Sequence, residues 1–289
     1  MSVIHNHTRC ELGEGAFWHP KRAEFFWFDI LSHRLYGEGR HWDWDEPVSA
    51  AGWIDVDRLL VASASAIWVL HLSTGKRDRV QDLEADRPDT RSNDGKADPW
   101  GGFWIGTMGR KAEQGQGAIY RWHVGELRKL HPGITIPNAI CFNAGAHLAY
   151  FADTKAQTVF RQPLDTATGW PSGPAEVFLD LADQGLFPDG ATVDAEGRLW
   201  LAQWGAGRVA CYGPDAEYLG EERFPATQIS CPAFGGVDMT ELFATSALEG
   251  MDDEARANEP HGGKTFRRAA RLDDQPVRGV PEPSVILPG

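Results

Sequence analysis

The sequence predicts an all-β chain closed into a six-bladed β-propeller of four-stranded antiparallel sheets, and three observations lead there. Short runs rich in aromatic and β-branched residues recur between clusters of Gly, Asp, Asn and Pro, and helical periodicity is hard to find. Four stretches also align on one template. They start at Glu14, Asn93, Asn138 and Asp189, carry a turn residue five positions on (His19, Asp98, Asn143, Asp194), and are strand-like eleven positions on (Phe25, Trp104, Ala149, Trp200). Finally, each strand-like run is followed about ten residues later by a second one, such as RLYGEG, AIYRWH, TVFRQPL or RVACYG, as consecutive strands of one small sheet would be. Grouping them gives units near 14–47, 48–90, 91–132, 136–180, 187–225 and 228–277, each about the length of a propeller blade.

Taken in order, the first unit contributes EFFWFDI and HRLYGEG. The second fits worst: WIDVDRLLVAS supplies a turn and a strand, but the position equivalent to Glu14 falls near Ala50 and offers no ligand. In the third and fifth units Asp98-Pro99-Trp100-Gly101 and Asp194-Ala195-Glu196-Gly197 place Asp at the start and Gly at the end of a tight turn. The fourth carries HLAYFADT and QTVFRQPL. The sixth has Cys231 in the ligand register, where a small buried thiol reads as core packing rather than metal ligation. A ring needs its ends joined, and Val3 to His7 can complete the last sheet from the N-terminal side. No linker or low-complexity tract interrupts the pattern, so residues 1–289 read as one domain. Leu248 to Gly263, rich in Glu, Asp and Ala, reads as a lid or a short helix.

Twenty-eight basic against 41 acidic residues give a net charge of −13, which disfavours nucleic acid and anionic membranes as partners and favours a small-molecule substrate. No run approaches the roughly 18 apolar residues a membrane helix needs. Cys10, Cys141, Cys211 and Cys231 show no metal-type spacing, and MSVIHNHTRC lacks the apolar core of a signal peptide, so free thiols in a cytoplasmic monomer or small homo-oligomer are expected.

In a propeller the innermost strands begin at one end of the axial channel, so one side chain per blade can meet there. Two carboxylates and two carboxamides form an oxygen-only donor set suited to a hard divalent cation, Ca²⁺ foremost, with Mg²⁺, Zn²⁺, Mn²⁺ or Fe²⁺ as alternatives. Such an ion, with coordination places open, can polarise a carbonyl while a neighbouring carboxylate takes a proton from water, the chemistry of ester or lactone hydrolysis. Arg91, two residues before Asn93, lies beside this site. Asp29 and Asp153 fall at the far end of a strand from their unit's ligand and read as hydrogen-bond partners between blades. Asp94 alternates away from Asn93, and His5, His7 and His261 read as solvated or loop residues.

LGEGAFWHP, RSNDGKADPWGGFWIGTMG, IPNAICFN, YFADT, PDGATVDAEGRLWLAQWGAGRV, FGGVD and LFATSA closely resemble, in order, segments of the regucalcin, gluconolactonase and luciferin-regenerating-enzyme family. The resemblance runs from about Cys10 to Phe266. It implies one catalytic divalent cation in the channel of a six-bladed propeller that opens sugar-acid lactones. It further implies Glu14, Asn138 and Asp189 as metal ligands, Asp189 also as general base, and Arg91 and Asn93 as substrate contacts. Just after GTM, where some relatives carry a substrate-touching carboxylate, this chain has Arg110-Lys111; the two read either as a solvated pair or as cation contacts to an anionic part of the substrate, with Lys111 the expected substrate contact. Two other readings fit the same scaffold: an organophosphate or aryl-ester hydrolase, and a non-enzymatic calcium-binding propeller.

Overall fold

The computed structural model describes residues 2–289. Six four-stranded antiparallel sheets follow one another around a ring, as expected. Their inner strands are Gly13–His19, Val48–Trp53, Thr90–Ala97, Pro137–Asn143, Phe187–Val193 and Ile229–Gly235, numbered here as blades 1 to 6. All are almost wholly buried, because each packs between the neighbouring blade on either side and its own second strand. The outer strands, such as Arg77–Asp82 and Tyr218–Arg223, are mostly half-buried or exposed and rich in charged residues.

Closure comes from Val3–Asn6, which pairs with Thr265–Ala269 as the outermost strand of blade 6. The seam is filled by aromatics: His5 packs edge-on to Phe25 and Phe243, and those two rings stack with centroids 4.6 Å apart. Offset stacking of this kind adds to the burial of the rings themselves. Thus the first and last blades are joined by packing as well as by the strand ladder.

The turns at the end of the inner strands explain the fifth-position residues. Asp98 Oδ1 accepts from the amides of Trp100 and Gly102, at 2.8 and 3.0 Å, and Gly101, at φ 85°, closes the turn on the Asp98 carbonyl. Asp194 repeats the arrangement with Glu196 and Arg198, closed by Gly197 at φ 79°. A positive φ at the last position is why glycine stands there. Asp29 and Asp153 accept from the amides of Glu11 and Leu12, and of Thr135 and Ile136, so each fastens the segment that leads into its own blade.

Residues 277–287 cross the turn end of the ring, a feature with no signature in the repeat. The Gly279 amide donates to Met239 O, the Ala195 amide to Arg278 O, Val285 N to Trp53 O and Ile286 N to Gly101 O, so this tail is tied to blades 2, 3, 5 and 6. Beneath it Lys96 reaches across the channel from blade 3 to the Ala191 carbonyl of blade 5 and pairs with Glu282 at 3.3 Å.

All four cysteines are buried and unpaired, and Cys231 lies in the apolar cluster that holds Trp18, Trp200 and Phe243. Among the described residues no helix is long and apolar enough to cross a membrane. Leu248–Gly263 contains a single-turn helix, Asp253–Asn258, capped by Asp252 and pinned to the N-terminal segment by the Arg256–Glu11 ion pair and by Arg9.

His131, on the outer strand of blade 3, stacks on Phe151 of blade 4 at 4.3 Å and leaves Nε2 buried without a partner. Burial lowers its pKa from 6.5 to about 4. The unfolded chain therefore binds a proton that the folded one refuses between those values, and stability falls as the pH drops through that window. After allowance for partial exposure the loss is about 1–2 kcal/mol. Denaturant titrations at pH 7.5 and 4.5 should give a smaller acid loss for His131→Phe than for the parent; an equal loss would assign the effect elsewhere.

Candidate active site at the mouth of the channel

In all six inner strands the pairing with the second strand slips by one residue near the start, a β-bulge at the same level of every blade. A bulge bends the strand and re-aims the side chains beside it. Glu14 and Asn138 directly precede the slip, and Asn93 and Asp189 lie within it. Gly15 takes φ 57°, and a Cβ there would meet the Ser49 carbonyl of blade 2 at 2.2 Å, so the GEG spacing is required by the approach of the neighbouring blade.

These bulges open onto a cavity of about 580 Å³ lined by Glu14, Arg91, Asn93, Asn138 and Asp189, within the usual range for small-molecule sites. Every one of the five is buried. A chain of hydrogen bonds fixes them. Arg91 donates to Asn93 Oδ1 at 2.8 Å, Asn93 Nδ2 donates to Asn138 Oδ1 at 3.1 Å and to Pro137 O at 3.0 Å, and Asn138 Nδ2 donates to Thr154 Oγ1 at 2.8 Å. Thr154 in turn donates to the carbonyl of Pro188, the residue before Asp189. Thr154 had not been singled out in the sequence; it holds the Asn138 amide so that the carboxamide oxygen faces Asn93.

Glu14 and Asp189 both line the cavity, and both carboxyls are held well above the ordinary range. Burial is the largest cause for each, followed for Asp189 by the charge of Glu14 and for Glu14 by that of Asp94. Among the described residues neither makes an ion pair. Two buried carboxyls and a carboxamide oxygen lining one cavity form an oxygen-only donor set suited to a hard divalent cation, whose charge would allow both carboxyls to ionise. The residues present fit such an ion. Among the described residues no three His, Cys, Asp or Glu side chains cluster at metal-binding distance, in keeping with a set whose third member is an amide.

Asp94 does not line the cavity. Its carboxylate accepts from the amides of Ile140 and Gly95, at 2.7 and 2.8 Å, and so links blade 3 to blade 4 below the site. His261 is also absent from the lining, bonded instead to Lys264. Arg110 and Lys111 do line the mouth, both exposed. Glu249, from the segment after the second strand of blade 6, lines it too; burial raises its carboxyl pKa while the charge of Arg91 opposes the rise. Sequence reasoning missed Glu249, because it lies outside the repeated template.

A family model described as SMP-30/Gluconolactonase/LRE-like region matches residues 12–248. The chain is 43% identical over 283 residues to a protein of Rhizobium meliloti named "Putative sugar lactone lactonase", covering 96% of this chain and 94% of that one. It is 34% identical over 270 residues to an L-arabinolactonase of Azospirillum brasilense, covering 90% and 88% of the two. The crystal structure of a calcium-binding protein, regucalcin, from Agrobacterium tumefaciens superposes with a TM-score of 0.94 at 39% identity, over 99% of this chain and 98% of that one.

Proposed function

The chain belongs to the SMP-30/gluconolactonase/LRE-like family, and on that premise we propose that it is a metal-dependent lactonase that opens an aldonolactone to its sugar acid. It is a hydrolase of ester bonds, and lactone hydrolysis is the activity its named relatives support. The observation that carries the fuller reading is the convergence of Glu14, Asn138 and Asp189, from three blades, on one buried end of a cavity.

A divalent cation held by those three residues supplies positive charge that polarises a lactone carbonyl and acidifies water. Asp189 takes the proton of the attacking water as the new C–O bond forms, and returns it to the ring oxygen as the ring C–O bond breaks. Arg91 is already committed to the Ser92 carbonyl and Asn93, so its guanidinium is fixed in place, with further N–H donors left for substrate oxygens. Asn93 orients the carboxamide of Asn138 and thereby its oxygen.

Proton release from a panel of neutral aldonolactones tests this, before and after exhaustive chelation and again after adding single divalent cations. Turnover should fall at least about a hundredfold on chelation and return with one or more of the ions. Full turnover without metal would overturn the metal dependence, and no turnover of any lactone would overturn the reading as a whole.

A further inference from the structure

The mouth of the cavity has a charge pattern unlike the rest of this acidic protein. Arg110, Lys111 and Lys155 all line it and are all exposed. Among the described residues none of the three makes an ion pair, whereas arginines and lysines on every other side of the ring are commonly paired with Asp or Glu. The Arg110 guanidinium reaches only the Pro88 carbonyl, and the carboxylate of Glu113 is turned to the Lys111 amide rather than to its ammonium.

These cations occupy matching places. Arg110 and Lys111 are the two central residues of the turn after the second strand of blade 3, closed from Ala112 N to Gly109 O at 2.9 Å. Lys155 follows Thr154 in the equivalent turn of blade 4, closed from Gln157 N to Thr154 O at 3.1 Å. Both turns are fixed by a residue of positive φ, Ala112 and Gln157. Adjacent blades thus present one cationic arc. Blade 5 continues the rim with the apolar Phe187 and Trp204, and Glu249 stands on blade 6, diametrically across the ring from blade 3.

We infer that the lactone taken by this site carries an anionic substituent at the end remote from its carbonyl, held at the mouth by Arg110, Lys111 and Lys155. This rests on the lactonase reading, which puts the carbonyl at the buried end beside Glu14, Asn138 and Asp189. A group projecting from the far end of a sugar chain then reaches the rim. Like charge from Glu249 bars the same group from the opposite side, which fixes the direction in which the chain lies. Three exposed cations with no acidic partner repel one another unless an anion joins them, and phosphate, sulfonate and carboxylate share the needed oxygens.

The test compares kcat/KM of the whole protein for a neutral hexonolactone with that for the same lactone bearing a phosphate, and separately a carboxylate, on its terminal carbon. The anionic lactones should be favoured by about tenfold or more. That preference should shrink as the ionic strength is raised from 0.01 to about 0.5 M, since rim charges are screened. Lys155→Glu and Arg110→Ala/Lys111→Ala should each pull the anionic-to-neutral ratio toward one, with far-UV circular dichroism and Tm reporting an intact fold. The larger of the phosphate and carboxylate ratios identifies the group the arc prefers. A parent ratio of one or less, with neutral lactones turned over, overturns this inference and leaves the lactonase standing. Absence of turnover on every lactone overturns both.

Discussion

Asp189→Asn is expected to lower lactone turnover by at least about a thousandfold with the propeller intact, because one substitution removes both a proton acceptor and a ligand charge. The amide has nearly the same shape, so the bulge that aims the side chain and the Thr154–Pro188 contact beside it should persist. The metal-free fold should not suffer, since the change removes a buried carboxyl whose ionisation is already opposed by burial and by the charge of Glu14. A parent protein whose Tm falls on chelation, beside a variant whose Tm is high and insensitive to chelator, is the expected pattern. Glu14→Gln provides the comparison: it should also weaken metal binding, but saturating cation should restore more of its activity, because the proton acceptor is still present. Retention of a tenth or more of parental kcat by Asp189→Asn would remove this residue from the mechanism.

The second large effect is on stability. Asp98 and Arg121 form a pair with no solvent exposure of either side chain, 2.7 Å from Nε to Oδ2. Arg121 also donates to Thr168 O and lies 4.3 Å from the centroid of the Trp170 ring, so it fastens blade 3 to the loop of blade 4. Asp98→Ala leaves that guanidinium buried without a counter-charge and strips two amides of the turn of their acceptor; the loss should be about 3–5 kcal/mol. Arg121→Met should cost less, because Asp98 keeps the Trp100 and Gly102 amides. Asp98→Ala/Arg121→Met should cost less than its two single changes summed, as expected of partners that share one interaction. Denaturant unfolding of the four proteins measures the coupling, and additivity within about 0.5 kcal/mol would show that the pair does not act as a unit.

Much of this was legible in the sequence, and the physics says which parts. Inner and second strands are buried on both faces, so Phe25, Trp104, Ala149 and Trp200 repeat in register and betray the blades. Glu14, Asn93, Asn138 and Asp189 could be singled out because they start the four stretches of the repeated template, and Arg91 because it lies two residues before Asn93; all five line one cavity. The outer strands left no trace: Arg77–Asp82 and Tyr218–Arg223 face water and need only extended backbone, which charged residues supply as well as apolar ones. Thr154 escaped notice because its role is to bond another side chain, and Glu249 because it follows the repeat rather than belonging to it. The C-terminal tail was invisible for the same reason. Its tie to the ring is mostly backbone hydrogen bonds, which carry no residue signature.

That tail has a consequence for turnover. With residues 277–287 laid over one end of the ring and Lys96 strung between blades 3 and 5 beneath it, that end is covered, and the cavity of Glu14 and Asp189 opens past the rim of Arg110, Lys111 and Lys155. Lactone entering past this rim and acid leaving by it would meet the same side chains. An opened acid carries one negative charge more than the lactone that made it. The same cations that would draw an anionic substrate inward would therefore detain its product at the threshold, and egress rather than ring opening would then set the pace.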